Sequence, residues 1–516
     1  MSTSMCMSQE APEEAHRVKH AVVMVLGDIG RSPRMQYHTL SLLEDGHFVT
    51  LIGYAGEGLI PPLEMALTHS SDDASSSSLL KPMYHGHLHV LRMVPYQPPK
   101  TNLLYRLLYY PLRLLSLSYC VIHTLWVQLN NVPHTTKPVD VILVQNPPSM
   151  PTLLLAYLYC VWQGVFRRHR PRLVIDWHNL GYTMFEEPAA NSSRVRAMVQ
   201  QSIRCFAKWY EKSMAPLADA HLTVTQAMEI WLGGNFNVCG SHVRVCYDKP
   251  PLMFRPTSVE EQHELFRRLN LGNDILQVSH AEMKLEGVID ETIFTQSIRE
   301  HDGSPSIRLR KDRPALLVSS TSWTPDEDFS ILLVALRELH KRISTLPSGE
   351  TFPKVLVIVT GKGPQKQHYV PLLKEFNETH SYINIQTLWL EAGDYPKLLG
   401  CATLGVCLHT STSGLDLPMK VLDMYGCQVP VCAIAFDCLR ELVKDDVNGR
   451  IFKNGDELAN QLFDLLVGFN ADNDNDGMMK SKLEMYRQNI RGMTRWKENW
   501  EECARHLIVG GGEQCR

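Results

Sequence analysis

With 516 residues, 44% hydrophobic and 21% charged, the chain is too long for one ordinary core, so two domains with insertions are expected. The 51 Lys/Arg and 55 Asp/Glu leave a formal net charge of −4, a total that excludes neither membrane nor nucleic acid, because distribution decides. Thirteen cysteines without a CxxC pair or regular framework read as reduced, buried thiols in a cytosolic setting rather than a disulfide scaffold.

Residues 1–18 carry neither a charged-then-apolar signal nor a cleavage site, and read as a flexible N-terminus. Secretion is therefore not expected, and the sequons at Asn191 and Asn377 stay unused. Residues 21–26 read as the first strand, Gly27-Asp28-Ile29-Gly30 as a loop, then a helix and a second strand over 47–54, a βαβ opening. The Ser/Asp-rich stretch 70–78 is a loop. Further strands are predicted at 88–93, 139–144, 173–176, 221–224 and 243–246. Between residues 86 and 175, nine Lys/Arg face a single acid, Asp140. Within that basic region, residues 114–129 form an uncharged run of sixteen, short of the roughly twenty needed to span a bilayer core. Arg106, Arg113 and Tyr105, Tyr109, Tyr110 and Tyr119 lie beside it, which fits a helix in peripheral or re-entrant contact with a membrane. Residues 151–166 fit a core helix or membrane contact equally well. Residues 256–312 mix charges with short apolar runs and read as an interdomain insertion.

A second α/β series follows: a strand at 315–319, a helix over 331–346, and strands at 354–360, 383–388 and 404–408, in parallel connectivity. The tail over 480–507 is helical, with Trp496 and Trp500. In such sheets ligands sit at the carboxyl ends of strands. There stand Ser320, Thr321, Ser322 and Trp323, hydroxyls and a ring suited to phosphate oxygens and sugar, and the tight turn Gly361-Lys362-Gly363. After the strand at 404–408 comes a Ser/Thr/Gly loop with Ser413 and Gly414. Pro418 then suits the first turn of a helix whose N–H groups face an anion. Lys420 adds charge, and Asp423, about a turn and a half into the helix, is placed to accept two hydrogen bonds from a ribose diol. Alone, these are also the solvated groups of any strand-loop-helix. Gly426, Pro430 and Val431 then end the helix and start another strand. Glu441 and Asn448-Gly449 follow in register. No His/Cys/carboxylate cluster has metal-ligand spacing.

The segment GLDLPMKVLDMYG at 414–426 resembles the signature of the chitobiosyldiphosphodolichol β-mannosyltransferases, GT-B glycosyltransferases of the dolichol-linked N-glycan pathway. The blocks VMVLGDIGRSPRMQYHTLSL (23–42), VQNPPSMPTL (144–153), VIDWHNLGYT (174–183), YDKPP (247–251), SSTSWTPDEDF (319–329) and VTGKGPQKQHY (359–369) extend the likeness. It implies an α/β GT-B fold, two Rossmann-like domains facing across a cleft. Residues 19–255 would form the acceptor and membrane-facing domain, 313–475 the nucleotide-sugar domain, and 476–516 a crossing helix and tail. Members commonly begin with a transmembrane anchor, and here that role is either dispensed with or taken by residues 103–129.

The resemblance further implies inverting transfer of mannose from GDP-mannose, in β1,4 linkage, to dolichyl-diphosphate chitobiose. The catalytic domains would sit on the cytosolic face of the endoplasmic reticulum membrane. Besides donor, acceptor and membrane surface, partners would be other transferases of the pathway, with no nucleic acid, metal or cofactor. The donor would be held by the residues after the strands, including Leu415 and Asp416. Many retaining GT-B enzymes carry two glutamates eight positions apart here, whereas this chain has Asp416 and Asp423, so Asp416 either contacts the mannose or caps the helix. Pro325-Asp326-Glu327-Asp328 stand where other GT-B enzymes have an Arg/Lys pair, leaving the diphosphate to Lys420, Lys362 and the helix dipole. Inversion needs a general base from the first domain. Asp28 is the first candidate; Glu186 and His178 compete, His178 equally as a residue that orients its loop. Gly30, Arg31, Arg34, Trp177 and Asn179 would meet the acceptor. The alternatives are another inverting GT-B transferase with a different nucleotide sugar or lipid, or an inactive scaffold.

Overall fold

The computed structural model describes residues 18–68, 87–94, 103–131, 137–185, 194–271, 288–300, 302–324, 327–347, 352–391, 393–411, 413–469 and 482–510. Glu186, the loop at 70–78 and the sequon at Asn191 lie outside the described residues. The chain divides into two compact units, Met1–Thr223 with Trp231–Arg244 and Trp500–Arg516, and Val224–Ile230 with Val245–Asn499.

The first unit alternates strand and helix: β1 (His20–Asp28), α1 (Pro33–Glu44), β2 (Phe48–Tyr54), α2 (Pro61–Thr68), β3 (Leu88–Met93), α3 (Leu103–Ile122), β4 (Val141–Asn146), α4 (Thr152–Phe166), β5 (Arg172–Trp177), α5 (Arg194–Met214), β6 (Ala220–Thr223), α6 (Gln226–Phe236), whose residues up to Ile230 belong to the second unit, and β7 (Val243–Val245), which ends at the boundary. Its seven strands run β3-β2-β1-β4-β5-β6-β7, with parallel pairing from β3 through β6. β1 is apolar without alternation, and Ala21 to Leu26 are all buried, as a parallel strand covered on both faces requires. Strand order reverses between β1 and β4, the switch point where such sheets open a crevice for ligands. α3 runs on through a π-helical turn, His123–Gln128, and a 3₁₀ turn, Leu129–Asn131. The apolar segment Leu112–Asn131 is therefore 20 residues long with mean hydropathy 1.2, enough to cross a membrane by length and composition. That exceeds the uncharged run read from sequence because the helix continues past the polar residues at both ends. Only 22% of it is buried.

The second unit opens with α7 (Val259–Leu269), held by a reciprocal Ser258/Glu261 capping box, and an antiparallel sheet of β8 (Val288–Glu291), β9 (Thr295–Arg299) and β10 (Pro305–Leu309). Sequence periodicity missed these strands because they are four or five residues long and only partly covered. Then come β11 (Ala315–Ser320), α8 (Ser330–Ser344), β12 (Val355–Thr360), α9 (Lys366–Thr379), β13 (Ile383–Leu388), α10 (Asp394–Cys401), β14 (Leu404–Cys407), α11 (Met419–Gly426), β15 (Val431–Ile434), β16 (Gly449–Phe452), α12 (Gly455–Leu466), α13 (Lys482–Arg491) and α14 (Trp496–Cys503). The six-stranded sheet is parallel, in the order β13-β12-β11-β14-β15-β16. β11 feeds both sides of the sheet: Leu317 packs with Leu332 and Leu336 of α8, while Leu316 and Val318 pack with Leu398, Val421 and Met424. The switch point lies between β11 and β14.

From Trp500 in α14 onward, including the last helix α15 (Arg505–Val509), the chain belongs to the first unit. Arg505 pairs with Asp45 at 3.0 Å, and the Trp500 indole N–H donates to His38 Nδ1 at 3.1 Å.

Candidate active site

In the second unit, the loops after β11, β12 and β14 converge at the switch point. The first two touch backbone to backbone. A Cβ on Gly361, whose φ is +127°, would stand 1.8 Å from the Thr321 carbonyl oxygen, and one on Gly363 would stand 1.8 Å from that of Ser322. Only glycine admits this approach. It bends the chain so that Trp323, at φ +49°, turns inward and packs against Phe329 and Tyr369 with 1% exposure. Trp323 is thus a core residue, not the sugar platform its position suggested.

Glu327, 1% exposed, sits beneath these loops. Its Oε2 accepts from the Thr321 hydroxyl at 2.6 Å and the Ser322 amide at 2.5 Å, while its Oε1 meets Lys420 Nζ and lies 3.4 Å from His409 Nδ1. Burial opposes its charge, but the bonds from His409, Lys420 and Thr321 prevail and hold the carboxyl down at about 2. Lys420 is therefore presented by a fixed counter-ion rather than free in solvent. Lys362 lies over the Trp389 ring, 3.6 Å from its centroid.

Asp423 faces the same loops from α11. Among the described residues nothing hydrogen-bonds its carboxylate, and burial pushes it up to about 7. Its neighbour Tyr395 bonds Ser320 Oγ at 3.0 Å, and Thr360 adds a bond to the same hydroxyl at 3.3 Å. Asp416, by contrast, is engaged: both Ser411 and Ser413 donate to Oδ1. The two serine hydroxyls in turn accept from the amides of Gly414 (2.9 Å) and Leu415 (3.2 Å), and the Leu415 carbonyl accepts from Thr225 Oγ1. Asp416 thus shapes the loop. α11 has no side-chain cap, so its first amides stay open to an anion. Glu441 accepts from the amides of Gln226 and Ala227 and from Tyr247 Oη, capping the first turn of α6.

In the first unit, Asp176 at the end of β5 is wholly buried, collects three hydrogen bonds and has a further histidine nitrogen close by. Arg34 holds it bidentately at 2.8 and 2.9 Å, His178 Nε2 lies 2.9 Å from Oδ2, and His38 Nε2 lies 3.2 Å away. Burial works against its charge; Arg34 and His178 outweigh that and keep it well below the usual carboxylate range. Because Trp500 donates to His38 Nδ1, the His38 proton resides on Nε2, toward Asp176. His178 is 23% exposed at the side chain, and Nδ1 has no partner among the described residues.

The other residues expected near the acceptor divide. Arg34, 4% exposed, is spent on Asp176 and is not offered to a diphosphate. Trp177 is wholly buried, its indole N–H donating to His221 Nδ1 at 3.1 Å, so it is core. Asn179 Oδ1 accepts from the Leu180 amide, setting the turn after His178. Gly30 packs under Glu57, where a Cβ would be 2.5 Å from the carbonyl oxygen. Arg31 is exposed and pairs with Glu57 at 3.0 Å. Asp28 accepts from the amides of Gly30 and Glu57 and stands 3.5 Å from Arg31, so both oxygens are occupied in joining two loops.

Glu327, His409 and Tyr395 were not singled out from sequence as donor residues, and nothing in local spacing marks them. Asp176 did carry a signal, since an ionisable residue inside the apolar strand Leu-Val-Ile-Asp-Trp must be paired once buried. No group of three or more His, Cys, Asp or Glu side chains disposed for a metal occurs among the described residues.

No protein-family model matches the chain. It is 40% identical over 507 residues to the UDP-glycosyltransferase TURAN of Arabidopsis thaliana, covering 95% of this chain and 97% of that protein. It is 37% identical over 495 residues to the chitobiosyldiphosphodolichol beta-mannosyltransferase of Homo sapiens (95% and 93% covered) and 35% identical over 502 residues to that of Dictyostelium discoideum (94% and 92%). Among solved structures, sucrose-phosphate synthase from Thermosynechococcus elongatus aligns with TM-score 0.52 at 13% identity, covering 94% of this chain and 96% of that one. WaaG, a glycosyltransferase involved in lipopolysaccharide biosynthesis, aligns with TM-score 0.51 at 12% identity, covering 96% and 100%. At such identities the structural likeness speaks to fold, which is GT-B.

Proposed function

This chain belongs to the chitobiosyldiphosphodolichol beta-mannosyltransferase family and is a hexosyltransferase, and we propose that it moves mannose from GDP-mannose to dolichyl-diphosphate chitobiose with inversion. The observation that carries the donor half is Asp423, a half-buried carboxylate without a partner among the described residues, one helical turn from Lys420. Ribose hydroxyls supply the missing donors for Asp423, and the diphosphate meets Lys420 and the open amides of α11. Ser320, Ser322, Gly361, Lys362 and Gly363 border the donor. Thr321, Ser413, Gly414, Leu415 and Asp416 hold the loops in shape.

For the base, the geometry favours His178 over Asp28. Asp176 holds Nε2–H and leaves Nδ1 to accept the proton of the acceptor's C4 hydroxyl as its oxygen attacks the anomeric carbon. The bond from that carbon to the diphosphate breaks on the opposite side, and Lys420 stabilises the departing charge. The acceptor places the reaction at a membrane, which we assign to the cytosolic face of the endoplasmic reticulum. The exposed apolar segment Leu112–Asn131 supports contact there.

A second reading, transfer from a UDP sugar, is favoured by the name of the Arabidopsis relative. Purified chain, offered GDP-mannose and UDP-N-acetylglucosamine in turn with a chitobiosyl-diphosphate lipid, separates the two by product mass. One added hexose from GDP-mannose alone is expected. Transfer only from the UDP sugar refutes the proposal.

A further inference from the structure

We propose that α5 lies on an anionic lipid bilayer and, by docking there, sets the loop that carries His178 against the lipid-borne acceptor; this rests on the membrane acceptor proposed above.

α5 is 21 residues long. Met198, Val199, Ile203, Phe206 and Trp209 fall on one stripe at helical spacing and are 70%, 53%, 39%, 52% and 60% exposed. The adjoining side, with Ala207, Tyr210 and Glu211, is buried in the first unit. A contiguous apolar stripe of this size on a helix surface marks an interaction site.

Charge selects the occupant. Arg194, Lys208 and Lys212 flank the stripe, and the only acid in the helix, Glu211, is wholly buried. An exposed face that is apolar and cationic, with no exposed acid, complements anionic headgroups over acyl chains. The surface also continues beyond α5. Tyr210 Oη accepts from the Leu154 amide of α4, on which Leu154 and Leu158 are exposed, and α4 meets the extension of α3 through Tyr159 and Trp126.

Glu211 ties this helix to the chemistry. Its carboxylate accepts from the amides of Gly181 at 2.8 Å and Tyr182 at 3.2 Å and from Asn146 Nδ2 at 3.0 Å. Gly181 follows His178 by three residues, so one buried carboxylate fastens the lipid-facing helix to the proposed base loop.

The test is flotation of the full chain with vesicles of phosphatidylcholine alone or with about one third phosphatidylserine. The wild type should bind the anionic vesicles more strongly. Val199→Glu/Phe206→Glu/Trp209→Glu should cut the bound fraction roughly fivefold or more, and Arg194→Gln/Lys212→Gln should remove most of the preference for anionic lipid. Val370→Glu, an exposed change in the second unit, should float like wild type. Flotation of the triple variant at the wild-type level, or indifference of the wild type to anionic lipid, overturns the proposal. So does a concentration-dependent dimer abolished by the triple variant while flotation is kept. Transfer to a short, water-soluble chitobiosyl-diphosphate analogue is measured alongside. The triple variant should retain it within about twofold, which also shows that it folds. If the wild type fails to transfer mannose to that analogue, the functional reading fails, and flotation still decides the lipid contact.

Discussion

His178 Nε2 stands 2.9 Å from Oδ2 of Asp176, a carboxylate with no exposed surface, itself gripped by Arg34. The pairing fixes which nitrogen of His178 carries its proton and leaves the other to accept one. His178→Ala should therefore lower kcat about 10²- to 10⁴-fold with little change in the donor KM. Asp28→Ala should act mainly on stability, because it removes the anchor of two backbone turns. Steady-state kinetics beside thermal unfolding of both variants checks this, and a larger kcat loss for Asp28→Ala would exchange their roles.

Asp423 makes stability and donor binding depend on pH in opposite senses. Burial raises its carboxyl from 3.8 to about 7, so ionisation penalises the folded state. The penalty is absent below pH 3.8, grows up to about pH 7 and is constant above. Asp423→Asn should lose donor affinity by about tenfold or more, yet be more stable than wild type at pH 8 by on the order of 1 kcal/mol, with no gain at pH 4. Denaturant midpoints at the two pH values provide the comparison. In wild type, donor affinity should rise as pH passes through about 7, because the ribose diol donates to the ionised form.

Glu327 titrates in the usual carboxylate direction. Lowered from 4.5 to about 2, it contributes stability that is complete above pH 4.5 and is lost as pH falls toward 2. Glu327→Gln should cost about 2 kcal/mol near neutrality and flatten that acid limb. Lys420→Met should cost a similar amount and also lower kcat about 10- to 100-fold, since the leaving diphosphate loses its cation. The double variant should be less destabilised than the sum of the two, by roughly 1 kcal/mol, as a double-mutant cycle in urea would measure.

Gly361→Ala and Gly363→Ala each place a methyl group 1.8 Å from a carbonyl oxygen. Each should destabilise by about 2–4 kcal/mol and weaken donor binding, because the loops after β11 and β12 must part. Gly234→Ala, inside α6 where an added Cβ meets nothing within 4 Å, is the matched control and should be neutral or stabilising by up to about 1 kcal/mol in calorimetry.

What the sequence disclosed follows the range of the forces involved. The two parallel sheets were legible because buried strands are apolar without interruption, and the helix that carries Asp423 and Lys420 because a strand-loop-helix spacing is local. Trp323 misled, since its inward turn goes with a positive φ where its loop meets two glycines of the loop after β12. Arg34 and Trp177 misled for a related reason: their partners, Asp176 and His221, lie 142 and 44 residues away in sequence. Lys420 read as a charge near the start of a helix, but its counter-ion, Glu327, stood in the Asp/Glu run that read only as a missing basic pair.

The bond from Trp500 to His38 ties the far end of the polypeptide to a helix that forms among its first 45 residues. His38 therefore receives the contact that sets its tautomer only once residue 500 has been added, so the polar cluster around Asp176 is among the last parts of the first unit to be completed as the chain is made.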